Sequence, residues 1–316
     1  MKNNYKVSII GMGALGMMYG SFITEHAEEA IAKKKFNNIT VDFVLDEQRY
    51  ERNKGKEITC NGKKKAVTMT KASEATPCDL LIVATKATGL EAALATMENC
   101  VDDHTTIISV LNGITSEEIL GERFGKEKII YTVAQGMDAM KFGNQLNYSN
   151  MGKLCIGIVD PKLEDRLQQV EEFFDAIQMS YVEEKDILYR MWSKFMLNVG
   201  VNQTCMVYNT NYKGVLTTPS EENRMLIAAM REVVAVANAE GIGLTEKDLS
   251  EYVRIIGTLN PTSVPSMAQD RINGKRSEVE SFAGTVRRLA RKHDIYVPAN
   301  DYLYERIMEI EREIIG

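Results

Sequence analysis

Residues 6–16 read KVSIIGMGALG, a short apolar run that breaks into glycines at 11, 13 and 16. KVSII has the continuous apolar character of a buried strand. The following MMYGSFITEHAEEAIA has helical character. Gly11-Met12-Gly13-Ala14-Leu15-Gly16 is therefore a GxGxxG motif with a strand before it and a helix after it, the context that gives it meaning. Gly11 allows the tight turn, Gly13 lets a pyrophosphate approach the backbone, and Gly16 lets the helix pack close to the strand. The helix N-terminus then offers unpaired N–H groups and a positive dipole end to phosphates. Glycines also serve plain turns, but the position at the amino end and the flanking pattern favour dinucleotide binding.

A second strand at 40–45 (TVDFVL) ends in Asp46, after a solvated insertion at 33–38 (KKKFNN). An acidic residue there normally hydrogen-bonds the adenosine ribose diol and favours NAD. Arg49 and Arg52 follow; either could instead hold a 2′-phosphate, or both could line an exposed helix face. NAD and NADP stay open on these residues. Two further apolar strands, 78–85 (CDLLIVAT) and 105–111 (TTIISVL), end at Lys86 and at Asn112-Gly113. Both ends fall where open α/β sheets bind ligands. A strand at 129–134, a hairpin around 145–158 and an amphipathic covering helix over 162–177 complete the expected sheet domain.

From about Glu183 the pattern is nearly all helical. In Tyr189–Asn209, YRMWSKFMLNVGVNQTCMVYN, Lys194, Asn198 and Asn202 stand four residues apart and share one helix face. Polar groups in so apolar a helix are costly unless something polar meets them. A bound substrate would do so, with Lys194 delivering a proton; the alternative is one solvated stripe of an ordinary helix. Residues 212–219 read as a loop, and 221–239 as a long core helix ended by Gly241 and Gly243. Thr245 is placed to cap the next helix. After a break at 260–265, a short helix opens at Ser266. Ser277 and Glu280 have the spacing of a capping box, which leaves Glu278 to point elsewhere. Helices over 282–293, with a solvated basic face, and 300–315 close the chain. The expected fold is α/β: a Rossmann-type doubly wound sheet over 1–182, then an all-α substrate and dimerisation domain over 183–316.

Composition agrees. The 316 residues are 44% hydrophobic and 26% charged with net charge −6, which argues against a nucleic-acid partner and its basic face. No apolar run approaches bilayer length. The early lysine and apolar run resemble a signal peptide, but the glycines fit a strand and turn better. Five cysteines and three histidines are scattered without metal-ligand spacing, so no metal site is expected and the odd cysteine count argues against a disulfide framework. A cytoplasmic location follows as the simplest expectation.

The chain resembles the ketopantoate reductase (2-dehydropantoate 2-reductase) family along nearly its whole length. The matching pieces are GMGALG at 11–16, TKA at 85–87, LNG at 111–113, WSKFMLNVGVNQ at 192–203, and PSMAQD with GKRSEVE between 265 and 280. The resemblance implies reduction of the keto group of ketopantoate to D-pantoate with NADPH, a step towards pantothenate. It places the general acid on Lys194, and the substrate-binding asparagines on Asn112, Asn198 and Asn202. The serine holding the substrate carboxylate falls on Ser266, the glutamate touching the hydroxyl on Glu278, and the lysine near nicotinamide and substrate on Lys86. Two departures stand out: Asp46 where the family usually has an arginine for the 2′-phosphate, and Lys213 before Gly214 where an asparagine is usual. An NAD-dependent D-2-hydroxyacid dehydrogenase is therefore the runner-up, and a non-catalytic dinucleotide sensor the alternative of another class. The expected site is an interdomain cleft taking a small 2-keto acid, and the apolar helix of the second domain makes a homodimer an expectation.

Overall fold

The computed structural model describes residues 4–315. The chain divides into two compact units, Met1–Ile187 and Leu188–Gly316. The sequence reading placed this boundary between 182 and 183; Tyr181–Glu183 is a strand paired with Lys153–Gly157, which keeps it in the first unit.

In the first unit, β1 (Asn4–Ile10) leads through the glycine turn into α1 (Ala14–Ala32), and β2 (Asn38–Leu45) into α2 (Glu47–Asn53). Three short strands follow, β3 (Ile58–Cys60), β4 (Lys63–Lys65) and β5 (Met69–Lys71). Then come β6 (Leu80–Val83), α3 (Leu90–Met97), β7 (Thr106–Ser109), α4 (Ser116–Phe124) and β8 (Ile129–Gln135). The unit closes with β9 (Met140–Phe142), β10 (Gln145–Asn147), β11 (Lys153–Gly157), α5 (Glu164–Ala176) and β12 (Tyr181–Glu183).

Eight strands form one sheet in the order β12-β11-β8-β7-β6-β1-β2-β5, parallel except where β11 meets β8. Central strands of such a sheet are covered on both faces and so need apolar residues throughout; Leu80, Leu81, Ile82 and Val83 of β6 are all buried. Alternation divides them between two cores. Val7 and Ile9 of β1 join the α1 and α5 side, with Met17, Met18, Val170 and Phe173. Ile10 joins the α3 and α4 side, with Leu90, Met97 and Leu120. One buried carboxylate interrupts the apolar pattern. Asp42 in β2 accepts hydrogen bonds from Ser8 Oγ at 2.6 Å and Thr70 Oγ1 at 2.7 Å, which offsets its desolvation.

The expected hairpin around 145–158 does not form. The hairpin is β9–β10, and β10 also pairs in parallel with β3 in a second, four-stranded sheet ordered β4-β3-β10-β9. β11 instead runs antiparallel to β8 in the main sheet.

The second unit is helical: α6 (Ile187–Tyr208), α7 (Tyr212–Leu216), α8 (Glu221–Ala239), α9 (Glu246–Ile256), α10 (Ser266–Ile272), α11 (Ala283–Lys292) and α12 (Pro298–Ile315). Where a loop was expected over 212–219, the Asn211 side chain caps α7 by accepting from Gly214 N–H. Thr245 and Asp248 form a full capping box on α9. Gly200 sits where α6 meets α8, since a Cβ there would lie 2.4 Å from Met230 Cγ. Glu232 of α8 caps α12 from outside, accepting from Ala299 N–H at 2.7 Å and Asn300 N–H at 2.8 Å. The Ser277/Glu280 capping box is absent. Ser277 Oγ donates to Glu311 at 2.6 Å, Glu280 accepts from the Tyr304 hydroxyl, and a short 3-10 turn at Val279–Ser281 precedes α11. The basic face of α11 is partly paired, with Arg287 on Asp301 and Lys292 on Glu240. No described helix is long and apolar enough to cross a membrane.

Candidate functional site

β1, β2 and β6 end side by side, and the chain departs from β1 to β2 on one side and reaches β6 on the other. This is the switch point at which open α/β sheets leave a crevice. A cleft of about 440 Å³ lies there, lined by Gly11, Met12 and Gly13, by Asp46, Arg49 and Arg52, and by Thr85 and Lys86. Lys141 lines it as well.

The three glycines divide the work as their surroundings dictate. Gly11 has φ +107°, and a Cβ on it would lie 2.6 Å from Ala84 O. A Cβ on Gly16 would lie 2.0 Å from Gly11 O, so helix and turn touch backbone to backbone. At Gly13 the nearest atom to a Cβ would be 3.6 Å away, an ordinary contact. Protein packing does not demand a glycine there, and the open space is what close approach of a pyrophosphate would need. Gly13 caps α1 without any side-chain hydrogen bond, which leaves the first N–H groups of the helix for an anion. Thr85 Oγ1 is buried without a hydrogen-bond partner at the same cleft. Buried hydroxyls are normally satisfied, and a bound nucleotide supplies an acceptor or donor. These residues fit a dinucleotide. Ala14 and Leu15 stand in the first turn of α1, behind the lining residues, and pack on the core.

Asp46 has a structural task. It is the N-cap of α2, accepting from Arg49 N–H at 2.7 Å, and its other oxygen lies 3.4 Å from Arg49 Nε. Its charge is thereby fixed at the end of β2, with Arg49 folded against it. Asn112 follows β7, one strand beyond β6, and is not among the residues lining this cleft.

In the second unit, α6 carries Lys194, Asn198 and Asn202 on successive turns, about 6 Å apart along the axis at 1.5 Å per residue. Lys194 and Asn198 are half-buried, and Asn202 is buried. Asn202 Oδ1 accepts from Ser266 Oγ at 3.0 Å and from Met267 N–H at 3.2 Å, so it caps α10, which has no cap of its own. Asn202 Nδ2 donates to Asn198 Oδ1 at 3.4 Å. Asn198, Asn202 and the exposed Ser266 thus form one hydrogen-bonded chain, beginning one turn from Lys194. Glu278 is buried at the turn that opens α11, and its carbonyl accepts from Ser281 N–H at 2.9 Å. The arrangement presents an ammonium and a fixed amide–hydroxyl row, the donors and acceptors that suit a small carboxylate with an adjacent oxygen.

Sequence reasoning missed Lys141. Its amine reaches Met12 O at 2.6 Å from 129 residues away. Only the alternation of MKF (140–142) offered any signal, and three residues are too few to set a period.

Comparison with known proteins agrees with the fold. Residues 7–161 match the family model described as ketopantoate reductase PanE/ApbA, and residues 186–311 the model of its C-terminal domain. A 2-dehydropantoate 2-reductase of Streptococcus pyogenes serotype M6 is 24% identical over 295 residues, covering 92% of this chain and 93% of that one. That of Lactococcus lactis is 23% identical over 308 residues, covering 96% of each. Among solved structures, D-mandelate dehydrogenase with NADH and anilino(oxo)acetate superposes with TM-score 0.84 at 21% identity, covering 98% of this chain and 99% of that one. A dimeric ketopantoate reductase from Staphylococcus aureus superposes at 0.79 and 20% identity, with the same coverage. The chain belongs to the ketopantoate reductase family and is an oxidoreductase that works with a nicotinamide dinucleotide on a 2-keto or 2-hydroxy acid.

Proposed function

We propose that the protein is a 2-dehydropantoate 2-reductase, reducing the keto group of ketopantoate to the D-hydroxy acid with Lys194 as general acid. The observation that carries this is the row Asn198–Asn202–Ser266, hydrogen-bonded together one helical turn from Lys194. When bound, the dinucleotide supplies the hydride to the keto carbon. The negative charge that grows on the carbonyl oxygen needs a proton donor and a positive charge. A lysine ammonium supplies both, as a positive charge that carries a transferable proton. Lys194 gives its proton to that oxygen and is recharged from solvent between turnovers. Asn198, Asn202 and Ser266 hold the substrate carboxylate, and orientation of this kind removes part of the entropic barrier. Glu278 holds the hydroxyl end and sets the state of Lys194.

A second reading, a D-2-hydroxyacid dehydrogenase using NADH, is favoured by Asp46. Its carboxylate is held in the cleft at the end of β2, a position from which it would repel a 2′-phosphate, although Arg49 and Arg52 line the same cleft. Rates with NADPH and NADH on ketopantoate and on 2-ketoisovalerate separate the two. Ketopantoate turned over most efficiently supports the first reading, and another 2-keto acid with NADH the second. Cofactor binding without turnover of any keto acid would identify a sensor and overturn both. The same reading includes a homodimer, with exposed Ile272 and Tyr302 on the second unit available for burial.

A further inference from the structure

We propose that Lys141 is a cofactor-positioning residue: the β9–β10 hairpin holds its ammonium against the glycine turn, where it pairs with the diphosphate of the dinucleotide. Register gives the first reason. Lys141 stands directly opposite Leu146 across the hairpin, and cross-strand partners point to the same face. Leu146 is fully buried in the core beneath α1, so Lys141 is turned inward with it. Its neighbours Met140 and Phe142, 48% and 62% exposed, point outward. A lysine is rarely placed on the inner face of a strand unless a polar partner waits there.

The partner is the turn itself. Lys141 Nζ donates to Met12 O at 2.6 Å, inside the GxGxxG loop, and the side chain lines the nucleotide cleft. Met12 lies in the turn before the helix begins, since α1 starts at Ala14 with Gly13 as its N-cap. The amine therefore both pins the loop and sets a full positive charge beside the backbone that approaches the pyrophosphate. The hairpin strand that carries it belongs to the small second sheet, which gives that sheet a role beyond covering the core. The lysine is distinct from Lys86, which follows β6.

This inference rests on the dinucleotide reading, and the experiment distinguishes the two. Binding of NADH, NADPH and adenosine to the whole chain is measured by fluorescence and calorimetric titration for wild type, Lys141→Met and Lys141→Arg. In Lys141→Met, dinucleotide affinity falls about tenfold, the scale of a hydrogen bond to a charged group, while adenosine, which has no phosphate, binds as before. Lys141→Arg recovers most of the loss. The dependence of affinity on salt is shallower in Lys141→Met than in wild type. Equal dinucleotide affinity in Lys141→Met and wild type would overturn the proposal. So would equal weakening for adenosine and dinucleotide, since that marks a merely structural lysine. Should Lys141→Met fail to fold, Lys141→Gln carries the same comparison. A wild-type chain that binds no dinucleotide would overturn the cofactor reading itself, and this inference with it.

Discussion

At the scale of single residues, the spacing of Lys194, Asn198 and Asn202 was legible because a helix repeats faster than a loop can imitate over nine residues. Their partners were not. Asn202 read as a substrate ligand, yet its carbonyl oxygen also caps α10 through Met267 N–H. Asn202→Ala is therefore expected to cost stability, on the order of 1–3 kcal/mol, as well as substrate affinity. Chemical denaturation beside KM measurement checks this; a stability unchanged within error would contradict the capping role. Asp46 gives a cleaner separation. Asn caps a helix as well as Asp does, so Asp46→Asn keeps α2 and removes only the charge. The ratio of NADPH to NADH efficiency should rise about tenfold, the scale of one removed charge near a phosphate. A ratio left unchanged would show that Asp46 does not face the ribose.

At the scale of elements, the GxGxxG turn was legible because strand, glycines and helix are contiguous. Gly16→Ala should abolish cofactor binding or lower stability by roughly 1–3 kcal/mol, because its Cβ would collide with Gly11 O, a backbone atom that cannot turn aside. A variant that melts and binds as wild type would contradict the backbone contact. Local caps were half legible. Thr245 capped its helix as its sequence suggested, whereas Ser277 was drawn off by Glu311, a partner 34 residues away that no local spacing reveals. The Thr245–Asp248 box makes a pH prediction. Burial alone would raise the Asp248 pKa, but hydrogen bonds from Thr245 and Tyr189 outweigh it and hold the carboxyl below its usual 3.8. A depressed carboxylate stabilises the fold above its unfolded pKa, and that contribution is lost as pH falls through the folded value. The stability advantage of wild type over Asp248→Asn should be full at neutral pH and vanish as pH drops below 3.8. An advantage that persists or grows in acid would reverse the assignment. Thermal melts over pH decide it.

At the scale of the whole molecule, the central parallel sheet was legible from its apolar runs and the helical half from its period. The four-stranded second sheet was not, since its strands have three residues each and β3 meets β10 across more than 80 intervening residues. Hydrophobic periodicity needs length to register, and long-range pairing of short strands leaves none. That sheet carries Lys141, so the part of the cleft that escaped the sequence is the part built by tertiary contact. If the chain is a homodimer, sedimentation should report the mass of two chains at micromolar concentration; a single-chain mass would remove the dimer from the account.

In the proposed reduction one ammonium answers the charge that develops on the carbonyl, and single-turnover oxidation of the bound reduced cofactor by a 2-keto acid tests this most directly. Lys194→Ala should bind the cofactor as wild type does and lose about 10²–10⁴-fold in the rate of that turnover, the usual contribution of a general acid. Near wild-type turnover in Lys194→Ala, with cofactor binding intact, would contradict it.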